Sequence, residues 1–220
     1  MSEHFNELFD HWSANYDDTV SGRDVEYKEV FKYYDDILQN IADRAFGSVL
    51  EFGVGTGNLT KKLLENGLDV LGIEPSDKMR EIAQQKIHDI SIHKGHFLAF
   101  PQMDKKVDTI VSSYAFHHLT DDEKEQAIQI FDSLLTKGGK IIFGDTIFES
   151  EQAKEDAYFQ AKNQEYHRLA EDLSTEYYST IPILGNMLKK YQFTVDFEKM
   201  NDFVWIMEAK KEDMNHDRIK

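Results

Sequence analysis

Between positions 24 and 45, apolar or aromatic residues recur at Tyr27, Val30, Phe31, Tyr34, Ile37, Leu38, Ile41 and Ala45. This three-and-four spacing predicts one amphipathic helix packed on a core. From Ser48 the pattern changes to short apolar runs separated by helical stretches. Residues 49–52, 70–73, 90–92, 107–111 and 140–144 read as strands, with helices over 59–65, 79–87 and 121–135 between them. Strands alternating with helices are the mark of parallel crossover units. Thr120 followed by Glu123 makes a capping box at the start of the 121–135 helix, and Gly138-Gly139 is expected to end it. Right-handed crossovers would bring the carboxyl ends of the strands to one edge, where ligands bind in open α/β sheets.

A polar helical stretch over 149–173 follows, then a helix over 181–191 and two apolar runs, 193–197 and 203–209, able to form an antiparallel ribbon. The expected fold class is α/β. It is a Rossmann-like, doubly wound sheet of about seven strands, mostly parallel with an antiparallel last strand, plus helical N-terminal and inserted cap elements. With no internal repeat and only three scattered prolines, 1–220 reads as a single domain. Its parts are an N-terminal helical lid (1–45), a core (46–146), a helical cap (147–192), final strands (193–209) and a charged tail (210–220).

Composition narrows the function classes. A 40% hydrophobic content supports a folded core, and 41 acidic against 25 basic residues give a net charge of -16. Such a charge repels phosphate backbones and anionic lipid, so neither nucleic acid nor a membrane is expected as a partner. Without cysteine there is no disulfide, thiolate metal site or cysteine nucleophile. No signal peptide or membrane-length apolar run is evident, which makes a cytoplasmic location the expectation. Oligomeric state is not legible.

Candidate chemistry centres on Glu51-Phe52-Gly53-Val54-Gly55-Thr56-Gly57, directly after a strand. Glycines at 53, 55 and 57 let a backbone turn sharply and lie against a ligand. A dinucleotide fingerprint would need its third glycine at 58, where Asn58 stands, which argues against an NAD-dependent oxidoreductase. Glu51, a carboxylate inside a strand, must anchor something polar. Glu74 ends the next strand, about 20 residues on, and suits two ribose hydroxyls.

Together, Glu51-x-Gly53-x-Gly55-x-Gly57, Glu74-Pro75-Ser76-x-x-Met79, Gly95-His96-Phe97 and the run from Asp108 to Ser113 resemble the ordered motifs of class I S-adenosylmethionine methyltransferases. The N-terminal Phe9-Asp10-x-Trp12-Ser13-x-Asn15-Tyr16-Asp17 is similar to the lead-in of small-molecule members, and the whole chain resembles uncharacterised methyltransferases of Gram-positive bacteria. The resemblance implies S-adenosyl-L-methionine as cofactor and S-adenosyl-L-homocysteine as product. It implies that Gly53 and its neighbours lie under the methionine part and that Glu74 holds the ribose. Ile73 to Pro75 would flank the adenine, the Phe97 backbone would meet it, and Ser112 and Ser113 would face the sulfonium. His96 stands where the family places an acid that accepts from the adenine amino group. A neutral imidazole accepts through one nitrogen and a protonated one does not, so binding should weaken as pH falls.

Methyl transfer from a sulfonium needs mainly alignment and exclusion of water. Where the nucleophile starts protonated, Tyr16 and His117 are the candidate catalytic bases, while His118, Tyr177 and Trp205 are expected to touch an unidentified small-molecule acceptor. A metal site from His117, His118 and Asp145 is not assigned, because adjacent side chains are expected to diverge. The alternative reading is a catalytically silent cofactor-binding or regulatory protein.

Overall fold

Strand β1 (Ser48–Phe52) is buried along nearly its whole length, the pattern of a central parallel strand covered on both faces. Its side chains alternate between two cores. Leu50 and Phe52 join a cluster with Ile110, Phe131, Ile141, Phe143 and Leu184, while Val49 joins Ile37, Ile41, Leu63, Val111 and Ile142 on the other face. The computed structural model describes residues 19–88 and 90–212. Around β1 stand β2 (Asp69–Glu74), β3 (Ser91–Lys94), β4 (Val107–Ser113), β5 (Leu135–Thr146), β6 (Phe193–Lys199) and β7 (Val204–Lys211), in the order β3-β2-β1-β4-β5-β7-β6. The first five are parallel, and β7 runs antiparallel to both β5 and β6. The doubly wound sheet with a closing antiparallel ribbon is thus as the periodicity predicts.

The described residues include seven α-helices. They are α1 (Tyr34–Arg44), α2 (Asn58–Glu65), α3 (Asp77–Lys86), α4 (Asp121–Leu134), α5 (Glu151–Asn163), α6 (His167–Thr175) and α7 (Ile181–Lys190). α1 and α2 cover one face of the sheet, and α4 and α7 the other. A third apolar cluster joins Tyr27, Val30 and Phe148 to Ala161, Leu169 and Leu173 of α5 and α6. No helix among the described residues is long and apolar enough to cross a membrane.

Three elements differ from the sequence expectation. The helix expected over 24–45 starts only at Tyr34, because Tyr33 takes a left-handed conformation (φ 63°) and Asn201 Nδ2 donates to the Val30 and Lys32 carbonyls that a longer helix would use. α4 ends before Gly138-Gly139. Leu135, fully buried, already pairs with Val107, and the glycines lie inside β5, beside the register shift between Val107 and Thr109. The stretch expected as one helix over 149–173 is two, broken where Glu165 turns left-handed (φ 58°).

Candidate active site

The carboxyl ends of β1, β2, β3 and β4 surround a cleft. The space between its atoms is about 560 Å³ counting the open mouth, but only about 70 Å³ admits the centre of a water molecule, so it is a narrow slot. The loop after β1 forms its floor. Gly53 N donates to Ile73 O at 2.9 Å, and a Cβ on Gly53 would stand 2.8 Å from the Ala115 Cβ. Gly55 (φ 57°) differs: a Cβ there would meet nothing within 4 Å, because it would project into open space. Both positions are left-handed (φ 70° at Gly53), and Gly53 needs glycine for the close approach as well.

Two carboxylates flank this loop in different states. Glu74 is 4% exposed, and its Oε2 accepts from Gly55 N at 2.9 Å while Oε1 accepts from Ser76 N at 2.8 Å. Glu51 lies behind the loop, off the cleft wall. Its Oε2 accepts from Thr60 Oγ1 at 2.6 Å, and its Oε1 has no partner among the described residues. Burial first, then the charge of Glu74, pushes Glu51 up to about 8, so it carries a proton at neutral pH.

His96 and Phe97 form one wall, in a tight turn closed by His96 N to Ala99 O at 2.8 Å and Ala99 N to His96 O at 3.0 Å. The Phe97 ring is buried and stacks on Phe52 at 5.0 Å. His96 Nδ1 accepts from Leu98 N at 3.3 Å, so the neutral imidazole carries its hydrogen on Nε2, and burial holds its pKa below the ordinary range. This reverses the expected polarity: the nitrogen left for a ligand is a donor.

β4 supplies the opposite wall through Ser113, Tyr114 and Ala115. Ser112 does not reach the cleft, because its Oγ donates to Phe52 O at 2.8 Å between strands. Tyr114 has φ 52°, packs against Phe31 and Tyr34 with ring centroids 5.1 Å and 5.5 Å away, and buries a hydroxyl with no partner among the described residues.

The turn Phe116–His118 follows. His118 lines the cleft, with its Nδ1 2.9 Å from Glu176 Oε2, and His117 lies behind it with Nδ1 2.5 Å from Asp145 Oδ1. Their rings are 4.1 Å apart. The expectation that adjacent histidines diverge is therefore corrected: the tight turn brings the two rings together at a tilt of 54°. Burial opposes charge on His117, but the Asp145 carboxylate outweighs it and raises the pKa. Burial and the neighbouring His117 charge lower that of His118.

A family model described as a methyltransferase domain matches residues 49–139. An uncharacterised methyltransferase of Bacillus mycoides is 53% identical over 213 residues, covering 96% of this chain and 100% of its own length. The chain belongs to the class I S-adenosylmethionine-dependent methyltransferases. Solved structures agree on the fold. A Synechocystis magnesium protoporphyrin IX methyltransferase with bound S-adenosylmethionine superposes with a TM-score of 0.66 at 16% identity, over 96% of this chain and 99% of that one. A methyltransferase of Thermotoga maritima gives 0.62 at 20% identity, over 88% and 98%.

Of the residues the sequence singles out, the methyltransferase fold gathers Gly53, Gly55, Glu74, Pro75, His96, Phe97, Ser113 and His118 around one cleft. Glu51 and Ser112 stand behind it, and Gly57 serves as the N-cap of α2. Trp205 lies on β7 beside a different cavity, with Phe148, Tyr166 and Phe203. Tyr177 is 45% exposed, and its N donates to His117 O at 3.1 Å. Tyr16 lies outside the described residues. Sequence reasoning missed Tyr114, Met79, Ala115 and the partner Glu176. Met79 at least had a signal, since it falls in the quoted Glu74 motif, whereas Glu176 reaches His118 only through the folded cap.

Proposed function

We propose that this methyltransferase transfers the S-methyl group of S-adenosylmethionine to a small-molecule acceptor entering beside His118, with the donor held in the cleft. The observation that carries this reading is Glu74. Its two carboxylate oxygens accept from the Gly55 and Ser76 backbone N–H groups, which fix the carboxylate at the end of β2 on the cleft wall, an arrangement suited to a pair of ribose hydroxyls. Gly53 and Gly55 would lie under the methionine part. Pro75 and Met79 would flank the adenine, and His96 Nε2–H would donate to one of its ring nitrogens. Ser113, Tyr114 and Ala115 would close the sulfonium side. When bound, the sulfonium supplies an electrophilic methyl group, so the protein's task is to align the nucleophile and keep water out. The narrowness of the slot suits both tasks. His118, on the cleft wall, is better placed than His117 to meet the acceptor, and Tyr16 remains a second candidate.

Calorimetry with S-adenosylhomocysteine and with NAD tests the donor. The homocysteine compound should bind one per chain, and Glu74→Gln should weaken it about ten- to hundredfold, the worth of a charge-assisted hydrogen bond. Binding of NAD alone would overturn the reading. Methyl turnover against a panel of small acceptors then tests the reaction.

A further inference from the structure

We propose that His117, His118 and Glu176 form a site for one divalent transition-metal cation, of the zinc or cobalt type, at the acceptor end of the cleft. One ring nitrogen from each histidine and one Glu176 oxygen lie within 4.8 Å of one another. His118 Nδ1 and Glu176 Oε2 stand 2.9 Å apart, and two ligands each about 2.1 Å from one tetrahedral cation are separated by about 3.4 Å, so this pair would open by about 0.5 Å on binding. With all three ligand atoms inside 4.8 Å, His117 would draw in toward the pair to complete the set.

The surroundings fit a built site. Asp145 holds His117 Nδ1 and is itself fixed by the backbone N–H groups of His117 (3.0 Å) and Thr146 (2.7 Å). A carboxylate behind a histidine in this way orients the ring and leaves Nε2 for a metal. Glu176 arrives from the cap, and the neighbouring bond from Tyr177 N to His117 O pins that segment to the turn. Lys124 is close enough to feel the Asp145 charge, but its Nζ is bonded to Tyr177 O and Asp121 Oδ1 and to neither acid of the site. A divalent cation on neutral imidazoles would balance Asp145 and Glu176. Two imidazoles with one carboxylate favour the borderline transition metals over magnesium or calcium.

Three protein ligands leave a coordination position open, as in metal sites that take a substrate atom. Because His118 lines the cleft, that position faces the acceptor, and the acceptor class is a small molecule with an oxygen or nitrogen donor beside its methylated atom. This last step rests on the proposed entry beside His118; cation binding itself does not.

The test is titration of the chelator-stripped full chain with Co²⁺, followed by visible d–d absorption and competition with Zn²⁺. One Co²⁺ per chain is expected, with affinity reduced at least tenfold in His117→Ala and in Glu176→Gln and unchanged in His93→Ala, a surface control on β3. Equal binding in all variants would overturn the site. S-adenosylhomocysteine calorimetry on Glu176→Gln reports separately on the fold and on the donor reading. If a variant fails to fold, anomalous diffraction from Co²⁺-soaked crystals of the unaltered chain decides: a peak bonded to His117 and His118 supports the site, and its absence sinks it.

Discussion

His96 shows how one hydrogen bond inverts a residue's role. With Nδ1 accepting from Leu98 N, the neutral ring offers a donor, where the family pattern has an acceptor. His96→Gln, which keeps an N–H, should hold S-adenosylhomocysteine affinity within a few-fold. His96→Asp should lose about tenfold, one hydrogen bond's worth, by calorimetry at neutral pH; a gain for the Asp variant would restore the acceptor role. Glu51 makes a separate prediction about stability. Its folded pKa is raised to about 8 from an ordinary 4.5, so between those values the unfolded chain ionises while the folded one stays protonated. Folding stability therefore falls as pH rises through this window and levels off above it, by up to about 5 kcal/mol. In denaturant melts from pH 5 to 9, Glu51→Gln should flatten that slope. An unchanged slope would locate the titration elsewhere.

At the scale of elements, the turn between β6 and β7 organises the approach to α1. Asn201 Nδ2 donates to the Val30 and Lys32 carbonyls at 3.1 Å and 2.8 Å, while Oδ1 accepts from Phe203 N and Val204 N at 2.8 Å and 2.7 Å. Asn201→Ala would leave buried backbone groups unpaired and should cost about 2–4 kcal/mol in urea denaturation. A loss below about 0.5 kcal/mol would mean that water replaces the side chain. The aromatic group of Phe31, Tyr34 and Tyr114 should loosen with it, so cofactor affinity should drop in parallel. None of this is legible locally, since Asn201 reads as an ordinary polar turn residue. The opposite case is α4. There the Thr120 side chain accepts from Glu123 N and the Glu123 side chain returns to Thr120 N, as the capping box predicts, because both partners lie within one turn of each other.

For the whole molecule, the net charge of -16 predicts no association with DNA, RNA or anionic vesicles at physiological salt, measurable by mobility shift and co-sedimentation. Salt-sensitive binding to any of the three would contradict the expectation of a small acceptor. The sequence by itself determined the alternation of strands and helices, the glycine loop and the acid at the end of β2. Each is written in contiguous residues, where hydrophobic period and glycine placement act directly on the local backbone. Tertiary structure alone decided that Tyr33 stops a helix, that the His117 and His118 rings meet, that Glu176 reaches His118 from 58 residues away, and that Trp205 faces another cavity. Those outcomes depend on which distant group arrives to accept or donate a hydrogen bond, and chain spacing carries no record of it.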